Sequence, residues 1–461
     1  MTNSRRRFLL RASQAALAVP ALHALGGCVS ATRLTHTELV ADPAGQLDLP
    51  PGFSYTAISR TGETMSDGFR VPAMHDGMAA FSIPGDRDRC VIVRNHENGP
   101  SRTNDGAFGA DHQLASRLDP RLIYDRAADG RPLLGGTTSL IWNLREKRLE
   151  QSVLTLAGTA ANCAGGATPW GSWLTCEETQ ERPGLNAGKL HGFVFEVPSS
   201  ARAPVTPVPL TSMGRFKHEA CAIDPSTGIV YQTEDEGDGL IYRFLPDSPG
   251  NLSRGGRLQA LVLADQARAD TRNWASSLFR RGERRPVRWV DMQDVAAPDG
   301  DLRLRGHVAG AALFARGEGI CTAIEGGKAA LFFACTSGGA ARRGQVWKLT
   351  PGDPVGTNDV LELYAESTGQ AHFDMCDNIE PSPWGDIIFS EDGSGENFVR
   401  GISPSGRVYP IARNAQNLSE ICGPCFSPDG STLFLNVQNP GITYAITGPW
   451  AQMARAARER A

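Results

Sequence analysis

The feature that most constrains this chain is a recurring unit in which a tight turn, a five-residue strand and two carboxylates follow one another. Thr168-Pro169-Trp170-Gly171 leads through residues 172–176 into Glu177-Glu178, and Ser382-Pro383-Trp384-Gly385 leads through residues 386–390 into Glu391-Asp392. A looser copy runs from Asp224-Pro225-Ser226-Thr227-Gly228 through a strand to Glu234-Asp235. Further strands close on Asn95-His96-Glu97-Asn98, on Cys335-Thr336-Ser337-Gly338 and on Asn436-Val437-Gln438. Such repetition is the mark of an architecture in which each unit buries its apolar face against the next.

Short runs rich in Val, Ile, Phe, Tyr and Thr, each closed by Gly, Pro, Asp or Asn, predict strands at 90–93, 138–142, 191–197, 229–232, 240–244, 330–335, 345–349, 387–390 and 432–437. Helical periodicity is weak, with one helix expected near 266–279. Strings such as Ser427-Pro428-Asp429-Gly430 and Ser403-Pro404-Ser405-Gly406 supply hairpin turns, because Pro presets one turn residue and Gly accepts positive φ. Six units over some 400 residues make the fold class all-β: a six-bladed β-propeller with unequal insertions between blades. A two-sheet sandwich and two adjacent β domains are the alternatives.

The N-terminus reads as a targeting signal. Ser4-Arg5-Arg6-Arg7-Phe8-Leu9-Leu10 opens an apolar, alanine-rich stretch reaching about Leu25, the pattern of twin-arginine export. That stretch is too short to span a bilayer comfortably. Leu25-Gly26-Gly27-Cys28 resembles a lipobox, which offers Cys28 as a lipidation site. Residues 1–30 are therefore expected to be the signal and 31–461 a single propeller domain. It would be carried by the twin-arginine translocase to the periplasm, there a monomer, free or lipid-anchored.

A formal net charge of −4, with no basic face or tail, argues against nucleic acid as a partner. Besides Cys28 there are nine cysteines, an odd number, so at least one is a free thiol or a ligand. Cys422 and Cys425 have Cys-x-x-Cys spacing, but the Gly-Pro between them reads as a turn rather than half of a tetrahedral metal site.

The chemistry is expected where the repeated strands end, since residues of many blades converge near a propeller's axis. Glu97, Cys163, Glu178, Glu219, Glu318 and Glu391 are the candidates, each in a Gly-rich or charged loop. Carboxylates gathered in one pocket repel one another and are held ionised by cations. Oxygen donors suit calcium, and one thiolate among them suits iron. Each candidate also has a plain reading: a strand-end Glu as a solvated turn group, Cys163 as a small buried residue, His96 and His218 as partners of loop carbonyls.

These strings, above all Asn162-Cys163-Ala164-Gly165-Gly166, residues 168–178, 215–220 and 436–450, resemble the PhoX-type alkaline phosphatase family. The similarity covers most of the chain beyond the signal. It implies a twin-arginine exported, six-bladed propeller that hydrolyses phosphate monoesters with a cluster of ferric iron, Fe(3+), and calcium, Ca(2+). By matching motif, the iron ligands fall on Cys163, Glu178, Glu219 and Glu318, and the phosphate-holding arginine on Arg316. Calcium ligands fall more loosely on Glu97, Glu234, Glu391 and Asp392. The family's phosphate-binding asparagine has three competing matches, Asn95, Asn98 and Asn143. Two other functions remain open: a calcium-dependent propeller hydrolase of another class, such as a lactonase or phosphodiesterase, and a non-enzymatic binding propeller at the cell envelope.

Overall fold

Burial along the strands separates an outer from an inner population. In Asp359–Glu366 buried and half-buried residues alternate, as expected of a strand with one face on solvent. In His218–Ile223, Val230–Glu234 and Thr432–Val437 every residue is buried, so both faces are covered. This is the burial profile of sheets stacked face to face around a centre.

The computed structural model describes residues 38–352 and 357–458; the expected signal at 1–30 and Cys28 lie outside the described residues. The strands form five antiparallel sheets in a propeller-like arrangement. The largest holds nine strands, in which two consecutive meanders, His218–Ile223 to Gly256–Leu263 and Gly317–Glu325 to Asp359–Glu366, are joined at their outer edges through Arg284–Asp291. Chain closure is provided by Ser54–Arg60, which pairs with Ile442–Thr447 near the other end of the sequence.

Six strands lie innermost: His75–Ile83, Asn162–Ala167, His218–Ile223, Gly317–Glu325, Cys376–Pro381 and Ile421–Phe426. Each packs against the next, and the last packs against the first, so they close a ring. The approach is tight enough to require glycine. A Cβ on Gly77 would lie 2.5 Å from the Cα of Ala164, and one on Gly319 would lie 2.7 Å from the Cα of Asn378. The ring encloses a cavity of about 170 Å³. Aromatic side chains fill the space between sheets, among them Phe314, Phe333 and Trp347 in one cluster and Phe216, Tyr242 and Phe244 in another.

All six inner strands are bulged at the same place. Two residues oppose one on the partner strand between His75 and Met78, Asn162 and Gly165, His218 and Cys221, Gly317 and Ile320, Cys376 and Ile379, and Cys422 and Cys425. A bulge re-aims the side chain at the extra residue.

Two local expectations need correction. No helix forms at 266–279; Arg268 and Asn273 take positive φ there, and the Asn273 carboxamide binds the backbone of Leu278 and Phe279, stabilising an irregular loop. Cys422-Gly423-Pro424-Cys425 is not a turn but the bulge of an inner strand. All nine described cysteines are buried free thiols.

Candidate metal centre

The six bulges aim Asp76, Cys163, Glu219, Glu318, Asp377 and Gly423 at the same end of the ring. The strand paired with each inner strand supplies a second position immediately beyond its end: Glu97, Glu178, Asp235, Thr336, Asp392 and Gln438. One backbone bond recurs in all six units and fixes this second position. The amides of these residues donate to the carbonyls of Met74, Ala161, Lys217, Arg316, Met375 and Glu420, at 2.8–3.3 Å. Met74, Ala161, Arg316 and Met375 hold positive φ although none is glycine. That conformation costs about 1–2 kcal/mol per residue and clusters at functional sites.

The side chains meet as three overlapping donor groups, within each of which the ligand atoms lie within 4.8 Å of one another. They are Asp76, Glu97 and Cys163; Cys163, Glu178 and Glu219; and Glu219, Glu318 and Asp377. Cys163 and Glu219 are each shared by two groups. The Cys163 sulfur lies 3.6 Å from Asp76 and 3.4 Å from Glu219, with one S–H to donate to either, and among the described residues Glu219 Oε2 has no hydrogen-bond partner although Glu219 is fully buried. Gln438 donates to both Asp76, at 2.9 Å, and Glu97, at 2.8 Å.

The electrostatics are those of a cluster short of positive charge. Burial, then mutual repulsion, pushes Glu178, Glu219, Glu318 and Asp377 well above the usual carboxylate range. Burial raises Asp76 to about 7, and burial together with Asp76 and Asp392 raises Glu97 to about 8. Glu420, which sequence reading did not single out, is raised well above its range by burial and the same neighbours. Cations at the centre would replace the protons these groups otherwise keep. Oxygen donors with one sulfur, an orphaned carboxylate oxygen and shared ligands fit more than one metal ion.

Arg316 is the cation of the cluster. Its Nε and Nη2 donate to the two oxygens of Asp235 at 2.8 and 3.1 Å, and Nη2 also lies 2.7 Å from Glu318. Burial opposes ionisation of Asp235, but Arg316 outweighs it and holds the carboxyl below its usual value. The guanidinium remains partly exposed at the mouth, and among the described residues Nη1 has no hydrogen bond.

Of the residues expected from sequence, the fold brings Glu97, Cys163, Glu178, Glu219, Glu318, Asp392 and Arg316 to this end of the ring. Glu234 and Glu391 are not brought into it, because each lies one residue short of the inward position and the pleat turns it back into its own sheet. Glu234 accepts from the amide of Leu240 and the hydroxyl of Tyr242, and Glu391 from Arg400 and the amide of Asp374. Asp235 takes the inward position in place of Glu234. Asp76 and Asp377 were missed by sequence reading, although Met74-His75-Asp76 and Met375-Cys376-Asp377 share a Met-x-Asp string at equivalent places.

The three asparagines that compete for a phosphate role are all engaged elsewhere. Asn95 binds the carbonyls of Cys163 and Ala164 and the indole of Trp173. Asn98 binds the carbonyls of Ala73 and Leu134, and Asn143 binds Glu150 and two backbone amides. His96 and His218 are fully buried and bound to the carbonyls of Ala73 and Gly214.

Residues 34–441 match the family described as alkaline phosphatase PhoX. Among solved structures, PhoX of Pseudomonas fluorescens, in complex with vanadate as a transition-state analogue, is similar with a TM-score of 0.67 at 17% identity. That alignment covers 90% of this chain and 98% of that one. A gluconolactonase from Xanthomonas campestris aligns with a TM-score of 0.41 at 10% identity, covering 87% of this chain and 98% of that one. A sequence search of curated proteins finds no match.

Proposed function

We propose that this chain, which belongs to the alkaline phosphatase PhoX family and is by that membership a metal-dependent phosphatase, holds ferric iron and calcium in the axial cluster and hydrolyses phosphate monoesters at its mouth. The observation that carries the reading is the sharing of Cys163 and Glu219 between overlapping donor groups at the bulges of neighbouring inner strands. Iron is assigned to Cys163, Glu178 and Glu219, one of the two groups that share the sulfur, and calcium to the carboxylates of the other two groups. When bound, such ions supply Lewis acidity and positive charge against the phosphoryl oxygens.

The chain's own residues supply the rest. Asp235 grips Nε and Nη2 of Arg316, which leaves Nη1 to donate to a nonbridging phosphoryl oxygen and orient the ester. That donor is in place before substrate arrives, so charge developing on those oxygens is met without reorganisation. Glu97 and Asp392 lie at the half-buried outer rim, where protons can be exchanged with solvent.

Six blades are the corresponding reading of the fold: the nine-stranded sheet is two blades joined by Arg284–Asp291, and six equivalent bulges surround one axis. Export by the twin-arginine route fits a protein that must be folded around its metals before transport. Elemental analysis combined with a p-nitrophenyl phosphate assay at alkaline pH tests the function. Iron, calcium and turnover in the same sample are expected; calcium without iron and without turnover overturns the reading in favour of another calcium-dependent hydrolase.

A further inference from the structure

Glu177, one residue before the axial Glu178, has a counter-ion of its own. The carboxylate is fully buried; Oε1 accepts from Nδ1 of His191 at 2.7 Å and from the amide of Ala160 at 3.0 Å. Its Oε2 accepts from the amides of Gly192 and Phe193 at 2.9 and 3.3 Å. His191 is fully buried as well, and its Nε2 lies 3.0 Å from Oδ2 of Asp125. That oxygen also accepts from the amides of Gly188 and Lys189, both at 2.8 Å.

The imidazole therefore bridges two carboxylates. A neutral imidazole has one N–H and can donate to only one of them, whereas the cation donates to both. Burial opposes the charge, but Glu177 and Asp125 outweigh it, so His191 titrates at about 9. The other ionisable groups around it do not compete for its nitrogens. Tyr124 meets the ring edge-on at 5.2 Å with its hydroxyl on the Leu190 carbonyl, and Lys189 lies over the Tyr124 ring at 4.6 Å. Arg215 donates to the His191 carbonyl at 2.7 Å.

What this trio holds is the junction of two axial positions. The amide bound by Glu177 belongs to Ala160, and the next residue, Ala161, offers the carbonyl that receives the Glu178 amide at 2.8 Å. Cys163 follows two residues later, near the start of the strand Asn162–Ala167, and Glu178 follows Glu177 directly. The equivalent carboxylates Glu234 and Glu391 are held by single hydroxyl, amide or guanidinium donors, with no second carboxylate behind them.

We propose that Asp125, His191 and Glu177 form a positioning relay that fixes Cys163 relative to Glu178, and that metal is retained between those two residues only while the relay is intact. The inference rests on the reading of Cys163 and Glu178 as ligands. The experiment uses full-length protein with Asp125→Asn, which keeps an acceptor behind the ring, and His191→Gln, which removes the cation. Iron and calcium per chain are measured by elemental analysis, and thermal melting is recorded after chelator treatment. We expect iron per chain to fall at least threefold in both variants while Asp125→Asn still melts cooperatively near the wild-type temperature. A purely structural role would lower melting and leave the metal content of the folded protein unchanged. Variants that melt like wild type and keep its iron overturn the relay alone. Wild-type protein that carries no metal overturns the site reading, and the relay with it. Should His191→Gln fail to fold, Asp125→Asn decides.

Discussion

Glu177, Glu234 and Glu391 differ from Glu178, Asp235 and Asp392 by one step along the chain, and the difference decides what each does. The first of each pair is buried in its own sheet and has partners there: His191 and three amides for Glu177, Tyr242 and Leu240 for Glu234, Arg400 and Asp374 for Glu391. The second points to the axis, where its neighbours are other carboxylates. Burial raises Glu391 only to about 6, because Arg400 opposes it. Burial, Glu97 and Asp235 raise Glu178 well above its range. Desolvation is met within the sheet at Glu391 and left for cations at Glu178; in the middle pair the roles differ, since burial raises Glu234 to about 8 while Arg316 holds Asp235 below its usual value.

The largest test of this contrast is at the shared axial residues. Cys163→Ala and Glu219→Ala are expected to lower kcat/KM for p-nitrophenyl phosphate by about 10³-fold, with loss of iron, since each removes a donor used by two groups. Equal activity in either variant would mean the axial register is not the metal register.

Next in size is the comparison of Asp235→Ala with Glu234→Ala. Asp235→Ala frees Arg316 and should lower kcat/KM about 10²-fold with little change in urea unfolding. Glu234→Ala leaves the Tyr242 hydroxyl and the Leu240 amide unpartnered in the interior, which costs about 1–3 kcal/mol of stability, with kcat/KM retained. The reverse outcome would exchange the roles of the two registers.

pH probes the buried axial carboxylates directly. Asp76 and Glu97 have folded pKa values raised to about 7 and about 8. The stability of their protonated forms is fully present below the unfolded carboxylate range near 4. It is lost as pH rises through 7 to 8. Metal-free protein should therefore melt at lower temperature at pH 8 than at pH 5, and added calcium should raise melting more at pH 8. His191 is also raised, so its contribution is complete below about 6.5 and lost only towards pH 9. Melting that is independent of pH in metal-free protein would show that the axial carboxylates are not coupled.

The smallest expected effect is Arg316→Lys. Lysine keeps the charge but cannot hold Asp235 with two N–H groups while presenting a third to the developing charge, so kcat should fall about fivefold. Steady-state kinetics at constant metal content distinguish this from loss of ions.

Much of the strand pattern was legible because turn residues and β-branched runs act locally. The strand expected at 432–437 is Thr432–Val437, and the run at 345–349 lies within Gln345–Thr350. The strand expected from 191 begins only at Val194, because His191 is taken up by Glu177 and Asp125. A helix was expected at 266–279 from residue types alone, but positive φ at Arg268 and Asn273 commits that segment to a loop. In the site, the Gly-rich settings of Cys163 and Glu318 and the charged setting of Glu219 made those residues visible. Asp76 and Asp377 stand in ordinary-looking strands, and only the bulge reveals which way they face.

The sequence by itself determined the all-β character, the repeated unit and its paired carboxylates, because these follow from local propensity and turn chemistry. The tertiary structure decided which carboxylate of each pair reaches the axis. A strand sends successive side chains to opposite faces, and one extra residue at each bulge sets which of them points inward, a choice fixed only when six strands close into a ring.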